Sequence, residues 1–210
     1  GVGPGDTVSL MLPLIPPNCF ALFGAEAAGI ANPVNPLLEA HQIVEILKAA
    51  GTKVLVALGP TPGVDIWEKV QRVRTELPTL KAILQVGGIV SAADERDGVH
   101  SFDAALDRHP SDRLTSGRTI RPEEPCAYFH TGGTTGTPKL VRHTHANQVY
   151  QAWGVRLVLK GRPGNPILMG LPLYHVGGAL SQVLLTLSGG GAIVILTPAG
   201  WRNPTVVRNV

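Results

Sequence analysis

Short apolar runs alternate with segments of helical periodicity along the first part of this chain. Residues 7–12 and 53–58 are continuous apolar runs of strand length, and buried parallel strands are typically of this kind. Between them, residues 39–50 place their apolar side chains on one helical face, and Gly51 follows as a stop signal. This alternation predicts an α/β fold of layered lobes with largely parallel sheets.

The same reasoning predicts the remaining elements. Further strands are expected at 81–86, 126–130, 140–143, 166–171 and 192–196, and further helices at 18–30, 64–77, 102–107, 145–159 and 178–187. Asn18 is expected to cap the helix at 18–30, and Pro33 and Pro36 are expected to mark an extended turn. Residues 91–124 are polar and predict a connector. We therefore expect one lobe at 1–122, including the connector, and a second lobe at 123–210.

Composition excludes several classes of protein. Apolar residues make up 44% of the 210 residues and charged residues 16%, which excludes a disordered charged chain. The net charge is +3, and the lysine and arginine residues are scattered along the sequence without a basic run, so we expect no nucleic-acid partner. No apolar stretch reaches the roughly 18 residues that a membrane span needs. The two cysteines, Cys19 and Cys126, cannot form a disulfide framework, which favours a reducing, cytoplasmic location.

Residues 131–139, Thr-Gly-Gly-Thr-Thr-Gly-Thr-Pro-Lys, are the most informative segment of the chain. They follow a predicted buried strand. Glycines allow consecutive backbone N–H groups to turn toward an anion, threonine hydroxyls add donors, and a lysine can reach a phosphate oxygen. The segment therefore predicts a loop that binds a polyphosphate.

Other interpretations of this loop are weaker. The P-loop pattern G-x-x-x-x-G-K-[ST] fails because Pro138 precedes Lys139 and Leu140 follows it. The dinucleotide pattern G-x-G-x-x-G fails because Gly132 and Gly133 are adjacent. A plain Thr-rich hairpin would need neither the repeated hydroxyls nor the final lysine.

The loop resembles the phosphate loop of the AMP-forming adenylating enzymes, which include acyl-CoA synthetases, 4-coumarate–CoA ligases, luciferases and the adenylation domains of peptide synthetases. Residues 144–147 are similar to the Thr-His-x-Asn that follows this loop in the family. Residues 171–178 are similar to the Pro-x-[Phe/Tyr]-His-x-x-Gly motif at the acyl pocket. Residues 18–36 resemble the family's N-terminal lobe, so the whole chain matches one stretch of the large N-terminal domain. One departure is Leu140, where the family usually has glycine after the loop lysine.

The resemblance implies an ATP-dependent carboxylate–CoA ligase. Such an enzyme joins a carboxylic acid, fatty or aromatic, to AMP with release of pyrophosphate, and then transfers the acyl group to coenzyme A. The residues implied to bind the ATP phosphates are Thr131, Gly132, Gly133, Thr134, Thr135 and Lys139. The residues implied at the acyl pocket are His175, with Gly177 and Ser181 nearby.

The resemblance also implies that part of the machinery lies outside this stretch. The family's adenine-binding segment, its Mg²⁺-linked glutamate and its catalytic lysine all come later, so no catalytic residue is expected within 1–210. The chain opens at Gly1 without an initiator Met, and Asn203-Pro204 predicts a helix start close to the last residue. We expect a fragment that is inactive alone and that self-associates through the apolar surface left bare at its truncated edge.

Alternatives stay open at this point. The chain could be a catalytically silent nucleotide-binding module, or an adenylation domain that loads an amino acid. The second alternative is weakened because residues 174–178 contain no acid to pair with an ammonium group. His175 could be a helix cap. His130, His143 and His145 could suggest zinc, but no cysteine or carboxylate completes a close set, so no metal site is expected.

Overall fold

A seven-stranded sheet forms the centre of the computed structural model, which describes residues 1–131, 139–159, 163–204 and 208. The strand order is β5-β4-β3-β1-β2-β6-β7. The strands are β1 (Thr7–Met11), β2 (Ile30–Pro33), β3 (Thr52–Leu58), β4 (Ala82–Val86), β5 (Val99–Ser101), β6 (Pro125–His130) and β7 (Leu140–Thr144). All neighbouring pairs are parallel except β6 and β7. The expected α/β fold with a largely parallel sheet is confirmed.

Helices cover the sheet and bury its two faces in separate cores. They are α1 (Pro16–Ala28), α2 (Ala40–Ala49), α3 (Ile66–Val73), α4 (Ala92–Arg96), α5 (Phe102–Leu106) and α6 (His145–Leu159). Leu22 of α1 packs in one core with Val56 of β3, and Ile46 of α2 packs in the other with Leu55. Neighbouring residues of β3 thus point to opposite faces, as the pleat of a strand requires.

A second, two-stranded sheet pairs β8 (Ile167–Met169) in parallel with β9 (Ile193–Ile195). A π-helical segment at Gly177–Leu184 continues into α7 (Leu185–Ser188) between these strands, where the sequence predicts one helix at 178–187. A 3₁₀ turn at Gly200–Arg202 follows β9. No helix within the described residues is long and apolar enough to cross a membrane.

The first predicted helix is present, but its predicted bounds and its cap were wrong. The helix begins at Pro16 rather than Asn18 and ends at Ala28, so Asn18 is not its cap. Asn18 is buried, and its Nδ2 donates to the carbonyl oxygens of Leu12 (3.1 Å) and Pro13 (3.0 Å). The amide therefore ties the helix to the end of β1 instead of closing its first turn.

Two strands were missed. Ile30–Pro33 was divided between a helix end and a turn, but it forms β2, fully buried between β1 and β6. Val99–Ser101 lies in the segment expected to be a connector, yet it pairs with β4 as β5. The same segment also contains helix α4, whereas the sequence predicts only one helix there, at 102–107. The sheet spans both sides of the 122/123 boundary; the division into two lobes stays a prediction.

Candidate functional site

The carboxyl ends of the parallel strands meet at one edge of the large sheet. The chain leaves β1 at Met11, β2 at Pro33, β3 at Leu58 and β6 at His130 along this edge. In open α/β sheets, ligands bind at this edge because the loops that follow the strands converge there. The predicted phosphate loop follows β6 directly and therefore starts in that position.

The two ends of the predicted phosphate loop are joined by the antiparallel pairing of β6 and β7. The backbone N–H of Thr131 donates to the carbonyl oxygen of Lys139 at 2.9 Å, and both residues are exposed. Gly132, Gly133, Thr134 and Thr135 lie outside the described residues. Their assignment to ATP phosphates stays a prediction, as do those of Thr131 and Lys139.

His130, immediately before the loop, links β6 to the segment after β2. Its Nε2 accepts a hydrogen bond of 3.1 Å from the backbone N–H of Asn35. Its ring stacks on Tyr174, with ring centroids 6.4 Å apart and planes 23° from parallel. Burial lowers the pKa of His130, which favours the neutral ring that an Nε2 acceptor requires. The loop therefore starts from a residue fixed on two sides.

The motif at 171–178 folds into a tight turn that leads into the π-helical segment. His175 is exposed, and its Nδ1 accepts from the backbone N–H of Gly177 at 3.0 Å. The backbone N–H of Gly178 donates to the His175 carbonyl oxygen at 2.9 Å. A Cβ at Gly178 would overlap the Pro172 carbonyl oxygen, so only glycine fits there. His175 thus caps this turn through Nδ1.

Ser181 has a partner on a different element. Its Oγ accepts a hydrogen bond of 3.0 Å from Nε2 of Gln151 on α6. This bond holds the π-helical segment to α6. The structure thus joins His175 and Gly177 by a direct hydrogen bond and pairs Ser181 with α6; the acyl-pocket roles of all three stay predictions.

Two residues that contact His130 were not assigned a role from the sequence. Tyr174 contacts His130 through its ring and accepts a hydrogen bond of 3.2 Å at its hydroxyl from Nη2 of Arg202. Asn35 contributes its backbone N–H to His130. Tyr174 lies inside the acyl motif, so its position could have drawn attention to it. A contact made by the backbone of Asn35 leaves no signal in the sequence.

The three histidines considered for zinc have separate surroundings. His143 packs against Phe129 with ring centroids 5.1 Å apart, and burial lowers the pKa of both His143 and His145. His130 is engaged by Asn35 and Tyr174 as described above. In the described part of the chain, no three side chains of His, Cys, Asp or Glu group closely enough to hold a metal ion.

These features define an α/β protein in which a Gly/Thr-rich segment of the sequence follows the carboxyl end of β6. A family model described as AMP-binding enzyme matches residues 1–210. The chain therefore belongs to the AMP-binding enzyme family, and the resemblance inferred from the motifs is confirmed.

Several curated relatives are named as carboxylate–CoA ligases. The chain is 30% identical over 216 residues to a marinolic acid–CoA ligase of Pseudoalteromonas sp. The aligned region covers 100% of this chain and 32% of the relative. It is 31% identical over 196 residues to a sulfoacetate–CoA ligase of Cupriavidus necator, covering 93% of this chain and 35% of the relative. The chain thus spans about a third of the length of these relatives.

Solved structures show the same fold. The anthranilate–CoA ligase AuaEII in complex with anthranoyl-AMP superposes with a TM-score of 0.85 at 23% identity, over 99% of this chain and 38% of that one. ATP-bound MatB from Rhodopseudomonas palustris gives a TM-score of 0.76 at 20% identity, over 100% of this chain and 38% of that one. At these identities the likeness establishes the fold.

Proposed function

We propose that this chain supplies the phosphate-loop part of an ATP-dependent carboxylate–CoA ligase. The observation that carries the proposal is the family match over residues 1–210, together with the position of the two ends of the predicted loop, Thr131 and Lys139, after β6 and before β7. The named activities of the relatives support the choice of coenzyme A as acyl acceptor. An amino-acid-loading adenylation domain is less favoured, because residues 174–178 offer no acid for an ammonium group.

The chemistry would proceed in two steps. A carboxylate oxygen attacks the α-phosphorus of ATP; the new P–O bond forms as the bond to pyrophosphate breaks, leaving acyl-AMP. The thiol of coenzyme A then attacks the acyl carbon; the C–S bond forms, AMP leaves and the thiol proton is released. The first step places negative charge on departing pyrophosphate, which the loop amides, hydroxyls and Lys139 would stabilise.

Mg²⁺ belongs to the proposal as a partner of ATP, and the described residues include no cluster that would hold it. Its ligands are expected outside residues 1–210. A cytoplasmic location also stays a prediction. It is supported by Cys19 and Cys126, which are both free thiols.

Self-association of the isolated 210-residue chain stays a prediction as well. The exposed apolar face of α6 supports it, because Val149, Tyr150 and Trp153 present large side chains to solvent. Sedimentation velocity of the isolated chain would test it, and a monomer at high concentration would contradict it.

The test of the phosphate-loop role is Lys139→Ala in the natural protein at its full length. We expect ATP–pyrophosphate exchange to fall on the order of 100-fold, because a positive charge would be lost from departing pyrophosphate. The matched control is Lys81→Ala, which removes another exposed lysine, immediately before β4, and should leave exchange unchanged. Unchanged exchange in Lys139→Ala would refute the assignment. A panel of short, long and aromatic acids, read by pyrophosphate release, would identify the acyl substrate.

A further inference from the structure

A cleft lies at the carboxyl edge of the sheet, and Tyr174 is one of the residues that line it. It encloses about 350 Å³ between the segments that follow β1, β2 and β3 and the segments that follow β8 and β9. Apolar residues form most of its wall, among them Leu12, Leu14, Leu37, Val64 and Pro172. Small-molecule sites typically have this size and an apolar lining with a few polar groups.

The wall that carries Arg202 is held in place by backbone contacts. The N–H of Leu14 donates to the Pro198 carbonyl oxygen at 3.1 Å, and the N–H of Trp201 donates to the Gly170 carbonyl oxygen at 3.1 Å. The Trp201 indole packs so closely on Gly170 that a Cβ there would overlap it. The 3₁₀ turn at Gly200–Arg202 is therefore fixed against the ends of β1 and β8.

The charges in the cleft favour an anion. Asp65, which also lines the cleft, forms an ion pair with Lys69 at 3.0 Å. Arg202 donates to the neutral Tyr174 hydroxyl, and among the described residues no carboxylate forms an ion pair with it. A guanidinium has five N–H donors in a planar fork that suits a carboxylate. The cleft thus combines an apolar wall with one positive group that lacks an acidic partner.

We propose that this cleft binds a small apolar carboxylic acid, with its hydrocarbon part against Leu14, Leu37 and Val64 and its carboxylate on Arg202. The residues assigned to the acyl pocket, His175, Gly177 and Ser181, do not line it. The inference therefore goes beyond the proposed ligase activity, and binding here requires neither ATP nor an acyl-transfer step.

The experiment is a ¹⁹F NMR titration of the natural full-length protein, without ATP, using 4-fluorobenzoate as the probe. The neutral analogue 4-fluorobenzyl alcohol reports the apolar contribution alone. For Arg202→Gln we expect at least about tenfold weaker binding of the benzoate and unchanged binding of the alcohol, because a charge-assisted bidentate contact is lost.

A second variant protects the test against misfolding. Leu37 is 57% exposed, so Leu37→Asp adds a negative charge to the cleft without removing a buried side chain from the hydrophobic core. It should weaken binding of the benzoate more than binding of the alcohol. The matched control is Arg156→Gln on α6, whose guanidinium contacts the Ser188 carbonyl oxygen at 3.3 Å outside the cleft; binding should be unchanged.

Three results would overturn the proposal: benzoate binding unaffected by both Arg202→Gln and Leu37→Asp, binding that requires ATP, or no binding at about 10 mM probe. Pyrophosphate exchange measured on the same samples separates the two proposals. Loss of exchange with retained benzoate binding would count against the ligase activity alone.

Discussion

Nε2 of Gln148 on α6 donates a 2.8 Å hydrogen bond to Oε1 of Glu26 on α1, and both side chains are buried. The two residues are far apart in sequence, and their bond ties α6, which follows the phosphate-loop hairpin, to α1. Burial raises the pKa of Glu26 to about 7, and the hydrogen bond from Gln148 opposes this only in part. The contribution of Glu26 to stability should therefore depend on pH.

Glu26 should make stability fall as the pH rises. Its pKa is higher in the folded state than the ordinary 4.5, so its contribution is fully present below 4.5 and is lost as the pH passes through about 7. Relative to Glu26→Gln, the free energy of unfolding should decrease by about 3 kcal/mol over this interval. Urea denaturation at a series of pH values measures this difference. Glu45→Gln, an exposed glutamate on α2, is the control and should track the parent protein.

A chain of buried hydrogen bonds crosses the central strands and should be sensitive to Ser9→Ala. Asn32 donates to Ser9 Oγ at 2.9 Å, Ser9 Oγ lies 2.7 Å from Thr52 Oγ1, and Thr52 donates to the Leu47 carbonyl oxygen at 2.9 Å. Removing the hydroxyl takes away the acceptor of this Asn32 bond and leaves Thr52 with only its bond to Leu47, which should cost about 1–3 kcal/mol. Calorimetric or urea unfolding measures this loss. Ser188→Ala, at an exposed serine, should change the free energy of unfolding by no more than about 0.5 kcal/mol. An equal effect of the two substitutions would argue that these buried hydrogen bonds do not stabilise the protein.

Two glycines should respond in opposite directions to substitution by alanine. Gly178→Ala forces a Cβ into the Pro172 carbonyl oxygen, so we expect a loss of about 1–3 kcal/mol and a disturbed His175 turn. Gly154→Ala, inside α6, meets nothing within 4 Å and should stabilise the protein by up to about 1 kcal/mol. The melting temperatures of the two variants, compared with that of the parent protein, measure these stability changes. A neutral Gly178→Ala would show that the turn can relax.

Tyr174 should act as a positioning residue for the loop through its contact with His130. Tyr174→Phe keeps the stacked ring and loses only the contact with Arg202, so pyrophosphate exchange should persist. Tyr174→Leu removes the ring and should raise the KM for ATP about three- to tenfold, the range expected for one aromatic contact. The KM for the acid serves as the internal control. An equal KM for ATP in the two variants would show that Tyr174 does not position the loop.

Local sequence signals determined most of the elements. The helix predicted at 145–159 has those bounds in the structure, and the one predicted at 39–50 occupies Ala40–Ala49. Hydrophobic periodicity and capping residues are local properties, so a single segment carries them. The motif at 131–139 identified the family for the same reason, since its nine residues are consecutive.

Only the tertiary structure decided which strands pair and which side chains meet. Ile30–Pro33 is a strand because β1 and β6 flank it, and the three residues of β5 are too few to show a period. Asn18 turned out to hold the end of β1, and Tyr174 turned out to join His130 to Arg202. Such contacts join residues that are distant along the chain. They exist only after the whole sheet has assembled, so no local pattern can specify them.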